Sequence, residues 1–279
     1  MSVAIVIPVY KKSMSADERA SLVQGVRILN KYDMYFVCPE TLDLHEYTKV
    51  APAQIKEKRF PSEYFKSIEG YNRLMKTQHF YAGFKNYDYI LIYQLDAWVF
   101  ADELETWCQK GYDYVGAPWF ENFKSHEDGY RLWQVGNGGL SLRKVSAFIK
   151  VTNQLLRIKT AKEIFSEEYH SLKDLGHCLV RCCSPLIGNN TMRHFMSHGP
   201  TSWLWEDSFF CVGLADTRHR LNTPSPEDAA FFAFEQSPRF LYDTITHGQL
   251  PFGCHAWRKN QYEAFWQTFI DVKSDAIET

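Results

Sequence analysis

Asp88-Tyr89-Ile90-Leu91-Ile92-Tyr93-Gln94-Leu95-Asp96-Ala97 decides how this chain is read. Tyr89 to Gln94 is apolar, β-branched and aromatic, which is the composition of a buried strand, and the run ends in a carboxylate. In open α/β sheets, ligands sit just outside the carboxyl ends of the strands. An Asp at such an end can hold a divalent cation, and the cation can hold a diphosphate. The residues that follow, Ala97-Trp98-Val99-Phe100, are a second apolar run. Asp96 therefore lies between two buried segments, and an acid there needs a cation or a fixed donor as its partner.

Working outward, the first part of the chain alternates strand and helix. Val3–Tyr10 reads as a continuous apolar strand. Ser15-Ala16-Asp17-Glu18 is a capping box that opens an amphipathic helix through about Leu29. Tyr35–Cys38, stopped by Pro39, is a second strand and Glu57–Phe60 a third. Ile68–Phe84 has helical spacing. This alternation predicts an α/β fold with a mixed, mostly parallel central sheet and helices on both faces. Beyond residue 100 the pattern loosens. Tyr112–Trp119 and Leu140–Leu142 read as strands, Val145 to about Leu156 as a helix, Phe240–Ile245 as an edge strand and Gln261–Ile270 as a closing helix. A helix is expected to begin near Glu206. No repeat or linker divides the chain, so residues 1–279 are expected to form one domain.

Composition sets bounds. The 279 residues are 45% hydrophobic and 23% charged, with a formal net charge of −2, and nothing in that balance suggests a nucleic-acid footprint. No run of residues is long and apolar enough to span a bilayer, and no signal peptide is visible. Seven cysteines without a framework spacing point to a reducing, cytoplasmic setting. His177, Cys178, Cys182 and Cys183 match no common zinc spacing and read as helix-buried thiols.

Three later segments suit a ligand at the Asp96 edge. Gly136-Asn137-Gly138-Gly139 offers positive φ and close backbone approach, although a tight turn before the next strand has the same composition. Trp203-Leu204-Trp205-Glu206-Asp207 sets two acids beside two aromatic platforms. A sugar can stack on such rings while a carboxylate takes its hydroxyl proton. His255 follows the turn-like Pro251-Phe252-Gly253-Cys254, and imidazole can join oxygen ligands around Mn²⁺.

In this order, the segments resemble those of GT-A-fold glycosyltransferases, and most of all an uncharacterised bacterial glycosyltransferase-like family. The resemblance runs from the first strand to His255. It implies a metal site at Asp96 and His255 for Mn²⁺ or Mg²⁺, with Gln94 standing where the first acid of a D-x-D motif would be. An amide there supplies no negative charge to the cation. It implies donor contacts from Pro8, Val9, Tyr10, Asn72, Arg73, Gln94, Asp96, Asn137, Gly138 and Gly139, and makes Asp207 the general base of an inverting reaction. Trp119, Trp205 and Glu206 are expected on the acceptor side. The implied partners are a nucleotide-sugar donor, a UDP-sugar, and a glycan or lipid-linked glycan acceptor, with the protein peripheral to the inner face of the membrane. Residues 1–100 would form the nucleotide-binding half and 101–279 the acceptor-binding half. A glycoside hydrolase, or a carbohydrate-binding protein on a decayed glycosyltransferase fold, shares the acids and aromatics and is the alternative.

Overall fold

The computed structural model describes residues 1–51, 55–121, 131–183 and 189–272. Six strands form the central sheet: β1 (Val3–Pro8), β2 (Asp33–Pro39), β3 (Lys56–Phe60), β4 (Tyr89–Tyr93), β6 (Tyr114–Val115) and β9 (Leu140–Lys144), in the order β3-β2-β1-β4-β9-β6. The first four are mutually parallel, and β9 runs antiparallel to both β4 and β6. The expected mixed, mostly parallel sheet is therefore present. Its two faces divide by alternation. Val3, Ile5, Ile7, Leu91 and Tyr93 pack with Leu22 and Leu29 of helix Ala16–Leu29. Ala4, Val6, Ile90 and Ile92 pack with Leu74, Phe80 and Phe148 on the opposite face.

Local chemistry sets the boundaries. Ser15 and Glu18 close the expected capping box, with Glu18 N donating to Ser15 Oγ (3.2 Å) and Ser15 N to Glu18 Oε2 (2.7 Å). The helical stretch Ile68–Phe84 breaks into Ile68–Met75 and Gln78–Ala82, because Thr77 adopts extended backbone and caps the second helix through Phe80 N. Residues 112–119 are not one strand. They divide between β6 and β7 (Pro118–Phe120), which pairs with β8 (Leu132–Val135). Gly116 sits between the two, and any Cβ there would fall 1.8 Å from Gly136 O.

Two C-terminal expectations are corrected. Phe240–Ile245 is helical, entered through Pro238 at a first-turn position, and Tyr242 packs its ring on Phe265 and Phe269. Gln261–Ile270 is a set of turns with one short 3₁₀ segment, Trp266–Thr268, held by aromatic packing rather than by a helical ladder. Residues 160–200 carry three short helices, Ala161–Glu168, Leu175–Cys183 and Met192–Ser197. His177 faces outward toward Glu168 and Cys178 is buried. No described helix is long and apolar enough to cross a membrane.

A second, three-stranded sheet carries the site. β5 (Ala97–Val99) pairs antiparallel with β11 (Gly253–His255), which pairs parallel with β10 (Ala233–Phe234). The chain passes from β4 into β5 through a tight turn closed by Ala97 N donating to Gln94 O (2.9 Å). Replacing Ser15 with Ala should lower stability by about 1 kcal/mol, as loss of an N-cap typically does, read from the urea midpoint at unchanged slope.

Candidate functional site

The turn between β4 and β5 presents Asp96 at the carboxyl edge of the central sheet. Because His255 pairs with Ala97 in the β5–β11 ladder, the imidazole arrives beside Asp96. His255 Nε2 lies 3.1 Å from Asp96 Oδ1, and Nδ1 lies 3.1 Å from Oε1 of Glu235. Glu235 follows β10 directly, so the same small sheet delivers all three groups. Burial opposes charge on the imidazole, but the two carboxylates outweigh it and raise its pKa to about 10. Burial would lift the Asp96 carboxyl, yet His255 and Lys259 hold it below the ordinary range.

The glycine loop joins this group to the acidic pair. Gln94 N donates to Gly139 O (2.9 Å), which fastens the loop to the β4–β5 turn. A Cβ on Gly139 would fall 2.0 Å from His255 Nε2, and one on Gly138 would fall 2.1 Å from Glu206 Oε1. A Cβ on Gly136 would meet the Trp119 ring at 2.0 Å. The positive φ expected of the glycines belongs instead to Asn137, at 73°. These glycines are required because the chain's own side chains press on the loop.

On the far side of the loop, Gly138 N donates to Asp207 Oδ2 (3.1 Å) and Ser208 N to Asp207 Oδ1 (2.8 Å). Burial raises the Asp207 carboxyl, these two N–H groups oppose the rise, and nearby Glu235 adds to it. His255 and Asp207 thus border one strip of backbone, Gly138-Gly139, and Asp96 and Glu235 flank the His255 ring.

Several expected roles are corrected by burial. Glu206, expected on the acceptor side, is 2% exposed and forms a forked ion pair with Arg143: Nη1 to Oε2 at 3.0 Å and Nη2 to Oε1 at 2.7 Å. Asn72, expected to touch the nucleotide, is buried. Its Oδ1 accepts from Glu206 N (2.7 Å) and its Nδ2 donates to Ile68 O (2.8 Å). Trp119, expected as an acceptor platform, is buried against Gly136 and stacked on Trp133. The Val9 side chain is in the core, with its N–H donating to Val37 O, while Tyr10 beyond it stands exposed. Arg73 is exposed over the Tyr64 ring. Trp205 is 53% exposed beside the acidic pair.

Sequence reading missed Glu235 and Arg143. Glu235 is a strand-tip acid like Asp96, but its strand is too short to be seen in the pattern. Arg143 follows Leu140-Ser141-Leu142, and a lone charge at the end of an apolar strand is itself a sign of a buried partner.

A divalent cation can be tested against these residues. Among the described residues, no three His, Cys, Asp or Glu side chains converge on a point that would hold a metal ion. Nevertheless, His255 Nε2 is buried without a hydrogen-bond partner, although it lies 3.1 Å from Asp96 Oδ1. An orphaned ring nitrogen beside a carboxylate fits a cation that takes its other ligands from phosphate and water, as Mg²⁺ commonly does.

Replacing Arg143 with Met should destabilise the fold by about 3–5 kcal/mol, because Glu206 is left buried without its partner. Adding Glu206→Leu should recover most of that loss, as measured by chemical denaturation of the single and double variants.

In structure the chain is similar to the galactosyltransferase LgtC crystallised with donor and acceptor sugar analogues, at 12% identity and a TM-score of 0.50, covering 99% of this chain and 97% of that one. A glycosyltransferase involved in glycosylating the major capsid of PBCV-1 is similar over 95% of this chain and 97% of its own, at 11% identity and a TM-score of 0.46. Core-mannan synthase A from Aspergillus fumigatus, in a Mn/GDP form, matches 53% of this chain at 12% identity and a TM-score of 0.38, and the match spans 60% of its own length. At such identities the likeness bears on the fold, which is that of the GT-A glycosyltransferases. No curated protein matches the chain in sequence. Residues 54–255 match the model of a family described as "Protein of unknown function (DUF5672)", and the chain belongs to that family.

Proposed function

We propose that the chain transfers a sugar from a nucleoside-diphosphate donor, a UDP-sugar, to a hydroxyl of a glycan or lipid-linked glycan, inverting the anomeric centre with the help of Mn²⁺ or Mg²⁺. The observation that carries this reading is the meeting of Asp96, His255 and Asp207 around the Gly138-Gly139 backbone at the carboxyl edge of the sheet. The division into a nucleotide-binding half (1–100) and an acceptor-binding half (101–279) within one domain belongs to the same proposal. So does a cytoplasmic setting peripheral to the membrane, which the free thiols of Cys38, Cys108, Cys178, Cys182, Cys211 and Cys254 support.

The chemistry follows from where the groups sit. Tyr10 offers an exposed ring beyond the end of β1, where a base would stack. A cation held by Asp96 and His255 Nε2 would neutralise charge growing on the departing diphosphate. Asp207 is fixed by two backbone N–H groups that leave lone pairs free on both oxygens. Burial raises its carboxyl above the ordinary carboxylate range, the direction that suits a group that must accept the acceptor's hydroxyl proton. Trp205 stands beside it with an open ring face for the acceptor sugar. Attack from the base's side, opposite the leaving diphosphate, inverts the sugar carbon.

Asp207→Asn should cut turnover by about 10²–10⁴, the usual contribution of a general base, with UDP affinity unchanged; wild-type-like turnover in that variant would remove Asp207 from the chemistry. UDP with Mn²⁺ at about 100 times its Kd should stabilise the wild type by about 2.7 kcal/mol, and Asp96→Ala should abolish most of that gain. A protein indifferent to every nucleotide in a thermal-shift series, yet cleaving glycosides, would be a hydrolase instead.

A further inference from the structure

Glu235 has no place in the mechanism above, yet it holds the Nδ1 edge of the His255 ring. β10 and β11 are parallel, with Phe234 opposite Cys254. The next residues are Glu235, just past the end of β10, and His255, the last of β11, so the carboxylate and the imidazole stand side by side. Oε1 of Glu235 lies 3.1 Å from Nδ1. On the other side of the ring the Gly139 backbone approaches so closely that no Cβ fits. The imidazole is therefore held in one plane with its Nε2 buried and without a hydrogen-bond partner.

We infer that Glu235 is a positioning residue for His255: by accepting the Nδ1 hydrogen it leaves the Nε2 lone pair aimed at the Asp96 side of the cleft, where the divalent cation is held. The inference rests on the cation-assisted reading proposed above. Metal binding needs the neutral imidazole, which has one N–H and one lone pair, and which nitrogen carries which is decided by the neighbours; the proton that the two carboxylates favour on the free ring is released as a cation binds. An ionised carboxylate can only accept, so a ring bonded to Glu235 through Nδ1 offers its lone pair at Nε2. Metal-ligating histidines generally hold their other ring N–H on a carboxylate or carbonyl, and losing that partner costs 10–100-fold in metal affinity. The role needs an acceptor at this spot rather than a negative charge. That separates it from a merely structural buried ion pair, for which an amide would be a poor substitute.

The test is Mn²⁺ binding in the presence of UDP, followed by the electron paramagnetic resonance of free Mn²⁺. Wild type, Asp96→Ala, Glu235→Gln and Glu235→Met are compared, with folding checked by circular dichroism. Glu235→Met should weaken Mn²⁺ binding by about 10–100-fold. Glu235→Gln should weaken it by less than tenfold, since its amide oxygen still accepts from Nδ1. Wild-type affinity in Glu235→Met, with binding lost in Asp96→Ala, would overturn the role of Glu235 and leave the cation site standing. Equal losses in the Gln and Met variants would also overturn it, since they would make charge the requirement. If Glu235→Met does not fold, Glu235→Gln decides alone, and a loss beyond tenfold counts against the inference. Mn²⁺ binding absent from the wild type, or unchanged in Asp96→Ala, would remove the cation site and the inference with it.

Discussion

The buried pair of Arg143 and Glu206 is the constraint on which the rest of the site depends. Arg143 is fully buried on β9 and cannot shed its charge, so the interior must supply an anion and enough acceptors to saturate the guanidinium. Glu206 supplies two oxygens, Tyr81 Oη accepts at 2.9 Å, Ser141 Oγ at 3.0 Å and Gly138 O at 3.3 Å. Glu206 and Tyr81 come from distant parts of the chain, Gly138 from the loop that leads into β9, and Ser141 from β9 itself. The pair therefore fixes the distance between the central sheet, the glycine loop and the segment that carries Asp207. Asn72 adds a further tie by receiving Glu206 N. A charge pair of this kind contributes little net stability compared with apolar packing, but it tolerates few alternative arrangements.

That arrangement explains why a glycine-rich stretch is needed here. The usual reasons for glycine are a positive φ or a ligand pressed on the backbone. In this loop Asn137 takes the left-handed position, and its Oδ1 accepts from Gly139 N (3.1 Å) to close the turn. Gly136, Gly138 and Gly139 instead make room for Trp119, Glu206 and His255, three side chains brought in from three directions. The loop acts as the common wall of the site, and its thinness lets the imidazole on one side and Asp207 on the other lie close together.

Much of this was legible in the sequence where one residue type carries one physical demand. The β4 run, the Ser15 capping box and the alternation of strands and helices gave the sheet and its two covered faces, since hydrophobic period and caps are local signals. Asp96, Gly138, Gly139, Asp207 and His255 were named in advance, and the structure brings them to one edge. Glu206, Asn72 and Trp119 were assigned outward roles because sequence does not show which polar or aromatic groups are buried with partners. Glu206 beside an exposed Trp205 looks like a surface acid until Arg143 is found beneath it. The aromatic-rich end of the chain misled for a related reason. Tyr242, Phe265 and Phe269 pack as a cluster, and side-chain packing without a regular ladder leaves no period to read.

The small second sheet resolves a difficulty that the central sheet cannot. Asp96 is delivered by a strand end, but a carboxylate there with Gln94 in place of a second acid is a weak seat for a divalent ion. In the cation-assisted reading proposed above, further donors would have to come from outside the six-stranded sheet, at a fixed height and orientation. The chain does this by continuing past Asp96 into β5 and pairing that strand with β11, so that His255 stands in register with Ala97. β10 then pairs with β11 and brings Glu235 to the other side of the ring. Two short ladders thereby convert a separation of much of the chain into neighbouring positions on adjacent strands. Backbone pairing fixes side-chain height to within a residue step, whereas a loop would leave it free. Trp98 of β5 packs edge-on against Trp257 in the cluster that covers the small sheet. The geometry around Asp96 is therefore set by strand register.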